Sequence, residues 1–510
     1  MPSDAPGNLA DHVRHNATSA GSRAALIWQG RVISWSELDA QVDAYARGLR
    51  ELALQPSDGH PARIAIALPN SVEFAALFLA TLRAGLIAVA INPGYTGREL
   101  TQLLTESGAA VLIGTTDVLA AAGEVEHLTT YSMATVAESL ARAGDPVDTR
   151  TGGDDLALLL YTSGSLGRPK GAMLSHRALL ANHRQLAAIE PPVLGADDIA
   201  LLAVPLFHAY GLNSGLGAIV YHGATGVLVD EFDPAEALRL IASHRVTAVL
   251  GVPTMFLAWS LLPGADAAFT TVRVAVSGAA PLPASTDAAF RTATGRGLDV
   301  GYGLTETAPV LTTTLASPVA KPGSIGRAIP GVELALRSAS GEVIWIGDGT
   351  SSDDFDDDAA GSPGTDPGEI SARGDNLFSG YWPDGREGPD ADGWWATGDV
   401  AYADVDDDLF LVDRLHELII VNGFNVYPIE VEQVLATHPA VAEAAVIGEL
   451  HPYTGQTVKA FVVTSAPVPV DELLGHCRRG LARFKCPTAI EFTDELPHSA
   501  TGKVRKGALH

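Results

Sequence analysis

The sequence predicts an α/β protein: a large N-terminal domain of helix-covered, mostly parallel sheets with a small β-rich subdomain, then a small α+β domain at the C-terminus. Three observations carry that prediction. From about residue 25 to residue 330, helical patterns alternate with short apolar or β-branched runs, the rhythm of parallel sheets with helices on their faces. After "GRAIPGVELALRS" the rhythm changes to short strands separated by Gly and Asp turns. A second boundary falls at "VDRLHELIIVNGFNVYPIEVEQVLATHP", beyond which helix, strand and helix signals fill enough chain for a separate domain. The expected divisions are therefore 1–412, 413–417 and 418–510.

Taken in chain order, "ARIAIALP" reads as a strand, "SVEFAALFLATLRAG" as a helix and "IAVAINP" as a strand. The same pattern returns in "AAVLIGT", "ATGVLVDE", "TAVLGVP" and "VRVAVSG", with helices such as "DPAEALRLIASHR" between them. In sheets of this kind ligands bind at the C-terminal ends of the strands. The most apolar stretch, "FAALFLATLRAGLIAVAINPG", is interrupted by Arg83 and ends in a turn, so it reads as buried helix and strand rather than a membrane span. Residues 347–369 carry seven aspartates among Ser, Gly and Pro and read as a solvated loop with little to bury. A calcium site there would need the closing Glu and the Gly register of an EF-hand, which the run lacks.

At 510 residues the chain is too long for one compact core. A net charge of −27 argues against nucleic acid as a partner, because a polyphosphate would be repelled across most of the surface. A free nucleotide needs only a local cationic pocket and is not excluded. Cys477 and Cys486 are the only cysteines, which fits a reduced, cytoplasmic protein. The start of the chain has no apolar signal segment; association with a lipid surface is left open.

The stretch "YTSGSLGRPKG" follows the apolar run Leu156–Leu160. Thr162, Ser163, Gly164, Ser165 and Gly167 offer backbone N–H groups and hydroxyls that a phosphate chain can approach without Cβ clashes, and Lys170 adds a cation. It is not a Walker loop, since Pro169 precedes the Lys and Gly171 follows it. On its own it is equally a Gly/Ser surface turn. Further along stand "PLFHAYG" (205–211), "SGAAPL" (277–282), "GYGLTE" (301–306), "GWWATGD" (393–399), "DRLHELIIVNGFNVYPIEVE" (413–432) and "LPHSATGKVRK" (496–506).

Together, and in this order, these stretches resemble the motifs of the adenylate-forming superfamily, which includes the acyl-CoA synthetases. The resemblance covers almost the whole chain. It implies an enzyme that joins a carboxylic acid to ATP as an acyl-adenylate, then passes the acyl group to coenzyme A, with Mg²⁺ on the phosphates and a small, mobile C-terminal domain. Carried over residue by residue, Thr162 to Lys170 would hold the β- and γ-phosphates and Glu306 would reach Mg²⁺. Tyr302, with Gly301, Gly303 and Thr305 beside it, would stack on adenine, and Gly278, Ala279 and Ala280 would press its other face. Asp399 and Arg414 would bind the ribose, and Lys503 would be the cation that meets the α-phosphate and the acid's carboxylate. His208 would gate an acid pocket walled by Tyr210, Gly211, Ser214, Val252 and Ser277. The hinge would lie at 413–417 with His416 carrying the torsional change, and Gly423 and Phe424 would line the channel for the pantetheine arm.

The match departs from the family at four places. Leu166 replaces a hydroxyl residue, His416 stands where relatives carry Lys or Asp, Ile420 replaces a Lys used by some in the second half-reaction, and Val300 lacks a polar side chain toward adenine. The favoured expectation is an acid–CoA ligase acting on a fatty acid or similar apolar acid. Two alternatives stay open: an acyl-AMP ligase that loads an acyl-carrier protein, and a nucleotide-binding scaffold without turnover. A peptide-synthetase domain fits less well, because Ala209 occupies the place of that group's ammonium-binding Asp.

Overall fold

A computed structural model describes residues 7–162, 169–338, 343–346, 364–414, 419–421, 424–451, 455–499 and 503–509. By compactness the chain divides into two units. One comprises residues 1–333 with 373–395, the other residues 334–372 with 396–510.

The first unit is built on two sheets. A nine-stranded sheet runs Arg327–Ala328, Val310–Thr313, Asp299–Gly303, Val274–Ser277, Ala248–Gly251, Ile199–Leu202, Thr225–Leu228, Ala24–Trp28, Arg31–Ser34. Its interior pairs are parallel, and antiparallel strands close both edges. A six-stranded sheet runs Thr129–Ser132, Ala109–Gly114, Arg63–Ala67, Ile87–Ala90, Leu156–Thr162, Lys170–Ser175, parallel except for its last pair. The strands Arg63–Ala67 and Ile87–Ala90 are buried at every position, as parallel strands covered on both faces must be. This is why, Arg63 apart, they read in the sequence as apolar runs.

The helices start where local chemistry dictates. Trp35–Glu51 and Gly97–Ser107 each open with a capping box, Ser34 with Glu37 and Thr96 with Glu99, which satisfies backbone donors of the first turn. Val72–Ala84 begins at the cap Ser71 and ends at Gly85, whose φ of 79° is open to glycine without a Cβ penalty. That helix is buried almost all round, and Arg83 within it is 1% exposed. The charge is tolerated because Asp39 and Asp43 stand 2.7 and 2.9 Å away; a buried cation without partners would be strongly destabilising. Among the described residues no helix is long and apolar enough to cross a membrane. An edge-to-face aromatic cluster of Phe256, Trp259, Phe269 and Phe290 fills the core beside the nine-stranded sheet.

The second unit contains a five-stranded sheet ordered Val343–Ile346, Val332–Arg337, Gly368–Gly374, Trp395–Ala403, Leu409–Arg414. The sequence announces short strands after "GRAIPGVELALRS" (326–338); the first of them, Val332–Arg337, already lies inside that stretch. A further sheet runs Phe424–Val426, Ile419–Val421, Gly455–Thr464, Val441–His451, with Ala489–Phe492 parallel to Gly455–Thr464. The helices Pro428–Ala436 and Val470–Gly480 share its apolar core, in which Cys477 and Cys486 are both buried and free. The aspartate-rich run lies mostly outside the described residues, as does the hinge position His416.

Candidate functional site

Lys170 opens the strand Lys170–Ser175, which pairs antiparallel with Leu156–Thr162, so that Thr162 and Lys170 face each other across the ladder. Ser163, Gly164, Ser165, Leu166 and Gly167 lie outside the described residues. The Lys170 Nζ is 2.6 Å from Glu387 Oε2 and 4.8 Å above the Tyr381 ring. Tyr381 reaches this position because its segment is strapped to the Lys170 strand. Met173 donates to the Gly380 carbonyl, Ser379 to that of Met173 and Trp382 to that of Gly171, at 2.8 to 3.1 Å. Gly171 leaves room for the strap: a Cβ there would stand 3.0 Å from the Tyr161 ring and 3.3 Å from Trp382.

The Tyr381 hydroxyl donates to Glu306 Oε1 at 2.7 Å. Burial, then the Glu306 charge and this hydrogen bond, push the phenol's pKa well above its ordinary value, so the hydroxyl stays a donor at any working pH. Glu306 itself is 6% exposed and sits on the short 3₁₀ turn Thr305–Thr307, which follows the strand Asp299–Gly303. Only glycine fits at position 303, because a Cβ there would lie 1.7 Å from the Pro309 carbonyl oxygen. The Lys170 cation and the carboxylate of "GYGLTE" are thus joined through one tyrosine. Neither Tyr381 nor Glu387 was singled out from the sequence; "GYW" gives no sign of its distant partners.

Of the acid-pocket residues expected from the sequence, Tyr210 and Ser277 meet at the strand Val274–Ser277. The Tyr210 hydroxyl donates to the Val276 carbonyl at 3.0 Å, and a Cβ on Gly278 would touch the Tyr210 ring at 3.0 Å. Burial raises the Tyr210 pKa, keeping it neutral. Ala279 adopts a φ of +65°, a left-handed backbone that a side chain rarely takes and that recurs at functional turns. Ser277 pairs in register with Val300 on the neighbouring parallel strand; beyond that pair Gly301, Tyr302 and Gly303 continue their strand against Val310–Thr313, while Gly278, Ala279 and Ala280 follow the end of theirs. This is the C-terminal edge where open parallel sheets bind ligands.

Tyr210, Gly211 and Ser214 lie on a π-helix, Tyr210–Gly217, which the sequence did not foretell. Such helices are rare and concentrate at functional sites. Gly211 is obligatory there, since a Cβ would stand 2.2 Å from the Pro205 carbonyl oxygen. His208, half-buried just before the helix, accepts from the Tyr210 N–H at Nδ1 (3.2 Å). Val252 is 7% exposed at the end of the strand Ala248–Gly251. Among the described residues the buried Ser214 and Ser277 hydroxyls meet no hydrogen-bond partner.

In the second unit Asp399 and Arg414 face each other as cross-strand partners. Asp399 is 6% exposed, and its N–H donates to Thr397 Oγ1 at 3.1 Å. Gly398, with φ of 78°, donates to Glu369 Oε1 at 3.0 Å. Lys503 is exposed, its backbone held to Ser499 through N–H to Oγ (3.1 Å) and through its carbonyl (2.8 Å). Phe424 pairs with Val421 at the start of a short strand, whereas Gly423 lies outside the described residues.

Among the described residues no group of three or more His, Cys, Asp or Glu is arranged to hold a metal. Glu306 offers one buried carboxylate. That donor set fits Mg²⁺ arriving with a nucleotide, since this ion keeps its waters and phosphates and takes only one or two protein carboxylates.

The chain belongs to the AMP-binding enzyme family: AMP-binding enzyme matches residues 13–382, and the AMP-binding enzyme C-terminal domain matches residues 430–503. Among individual proteins, it is 32% identical over 554 residues to the long-chain-fatty-acid–CoA ligase of Yersinia pestis, covering 99% of this chain and 94% of the relative. It is 37% identical over 493 residues to a feruloyl-CoA synthase from an Amycolatopsis species, covering 94% of each. The crystal structure of ATP-bound MatB from Rhodopseudomonas palustris matches with a TM-score of 0.86 at 30% identity, over 98% of both chains.

Proposed function

We propose that this acid–CoA ligase of the AMP-forming type activates an apolar carboxylic acid, a fatty acid in the first instance. One acid oxygen attacks the α-phosphorus of ATP, the α–β phosphoanhydride bond breaks and pyrophosphate leaves. The thiolate of coenzyme A then attacks the acyl carbon and expels AMP, while the thiol proton passes to solvent. The observation that supports the first step is the Lys170–Tyr381–Glu306 cluster. It sets a cation and a hydrogen-bonded carboxylate beside the paired strands Leu156–Thr162 and Lys170–Ser175. Mg²⁺, held by Glu306, would neutralise phosphate charge. Lys170 would bind the outer phosphates, Thr162 and its loop would cradle them, and Lys503 would meet the charge that develops between carboxylate and α-phosphate. Asp399 and Arg414 would hold the ribose, and His208 and Tyr210 would close the acid pocket against water. Two buried thiols accord with a reducing compartment, and we place the enzyme in the cytoplasm. Among the described residues nothing supports attachment to a lipid surface.

A second reading, an aryl acid with polar ring substituents, is favoured by the buried, unpartnered hydroxyls of Ser214 and Ser277. A substrate oxygen there would meet a donor whose burial otherwise costs free energy. Acid-dependent ATP–pyrophosphate exchange over straight-chain, branched and aryl acids decides between the two. The fatty-acid reading expects dodecanoate to exceed ferulate in kcat/KM, and the reverse order would replace it. Absence of exchange with every acid would leave the scaffold alternative. Exchange without acyl-CoA formation would point to a carrier protein as acceptor.

A further inference from the structure

Three consecutive backbone carbonyls of the Glu306 turn are held from outside it. The Glu306 carbonyl accepts from the Phe378 N–H at 2.8 Å, that of Thr307 from Asn376 Nδ2 at 2.8 Å, and that of Ala308 from Asn213 Nδ2 at 2.7 Å. Ala308 takes a left-handed φ of +59°, a conformation that persists in a residue with a Cβ only when its surroundings enforce it. Phe378 and Asn376 belong to the strap that also carries Tyr381. Asn213 belongs to the π-helix that carries Tyr210, Gly211 and Ser214. Among the described residues it is the side chain that ties the acid-pocket helix to the turn bearing Glu306.

The amide of Asn213 has no freedom to turn over. Its Nδ2 donates to both the Leu179 and Ala308 carbonyls, and its Oδ1 faces His183 Nε2 at 3.0 Å. Because Nδ2 is spent on carbonyls, Oδ1 must accept and His183 must donate from Nε2. Asn213 is 3% exposed and His183 1% exposed. At Gly217, one turn along the π-helix, a Cβ would come within 2.6 Å of Asn213 Oδ1 and 2.8 Å of His183 Nε2. The helix is therefore shaped around this pair. An amide locked at both ends transmits a displacement instead of absorbing it.

We propose that Asn213 is a positioning residue that couples occupancy of the acid pocket to the affinity of the Glu306 turn for metal-bound nucleotide, so that each substrate tightens the other. The inference rests on the functional reading above, in which Glu306 serves the Mg²⁺ nucleotide and the π-helix lines the acid pocket. Coupling of this kind is reciprocal, and it disappears when the two-way linker is removed even if each site survives. Asn376 holds the same turn without touching the π-helix, which makes it the natural comparison.

The test is an equilibrium one. The affinity of the full-length enzyme for α,β-methylene-ATP with Mg²⁺, which cannot form the adenylate, is measured by calorimetry with and without saturating dodecanoate or ferulate, whichever supports exchange. The parent should bind nucleotide at least about fivefold tighter with acid present, the lower end of ordinary allosteric coupling. Asn213→Ala should reduce that ratio to within about twofold of one, whereas Asn376→Ala should weaken nucleotide binding yet keep the ratio. If Asn213→Ala does not fold, His183→Leu removes the donor that locks the amide and should lower the ratio, and His183→Gln, which restores an N–H, should rescue it. A parent ratio near one, a ratio unchanged in Asn213→Ala, or equal loss in Asn376→Ala overturns the proposal. Pyrophosphate exchange in the parent separates that failure from failure of the functional reading, which would abolish exchange altogether.

Discussion

Lowering the pH should loosen the first unit through its buried histidines, and for the pair His176 and His183 replacing one should remove half of what the pair contributes. His176 and His183 are each 1% exposed, and in each the Nδ1 atom is buried with no hydrogen-bond partner. Burial, followed by the nearby charges of His222, His12 and Arg184, lowers the His183 pKa from 6.5 to about 3, against the opposing hydrogen bond that His183 donates to Asn213. Burial lowers that of His176 to about 4, opposed by Asp155. A folded-state pKa below the unfolded value means that the unfolded chain takes up the proton first. Stability from these groups is complete above about pH 7.5 and is lost as the pH falls through 6.5 toward the folded values. At pH 5 each histidine is short by about 1.5 pH units, so each costs about 2 kcal/mol and the pair about 4 kcal/mol relative to pH 8. His183→Gln keeps a donor for Asn213 Oδ1 and removes the titration. Equilibrium urea unfolding of parent and variant at pH 8, 6 and 5 reads the double difference, in which titrating groups remote from His183 cancel. The variant should lose about 2 kcal/mol less than the parent between pH 8 and pH 5. Superimposable pH dependences would refute the argument, because they would mean that the ring is already protonated in the fold or never exposed on unfolding.

Three other substitutions test separate parts of the account. Tyr381→Phe removes a charge-assisted hydrogen bond to the buried Glu306 carboxylate, worth about 1.5–3 kcal/mol; kcat/KM for ATP should fall roughly 10- to 100-fold with the acid KM little changed, and an unaltered ATP profile would remove Tyr381 from the site. Gly217→Ala forces a methyl against Asn213 Oδ1 and His183 Nε2 and should lower stability by about 1–3 kcal/mol by overpacking, seen as an earlier urea midpoint. Lys503→Ala should stop adenylate formation yet leave thioester formation from supplied acyl-adenylate near the parent rate. Equal loss of both steps would refute its assignment to the first.

The parallel core was legible because its strands are covered on both faces. "ARIAIALP" and "IAVAINP" must be apolar at nearly every position, and an unbroken apolar run is a strong local signal. The buried Arg83 shows the limit of that signal, since its partners Asp39 and Asp43 lie in another helix. Of the site, the glycines and the charged residues of the motifs were visible, because phosphate chemistry demands small residues and cations close together. Structure then brought Thr162 and Lys170 face to face, paired Asp399 with Arg414 across a ladder and set Tyr210 against Gly278. What stayed hidden was the support. Tyr381, Asn213 and Asn376 act through hydrogen bonds to segments roughly 70 to 95 residues away in sequence, and no periodicity records such a contact. The π-helix was hidden for a related reason: "YGLNSGLG" has no side-chain repeat that distinguishes an i→i+5 ladder from an ordinary helix.

The central claim, that a carboxylate and ATP are fused into a mixed anhydride, is tested most directly by following oxygen. With the acid labelled in both carboxyl oxygens by ¹⁸O and coenzyme A present, mass spectrometry of the products after one turnover should find a single labelled oxygen in AMP and none in pyrophosphate. Label retained wholly in the acyl product, or found in pyrophosphate or inorganic phosphate, would contradict the account.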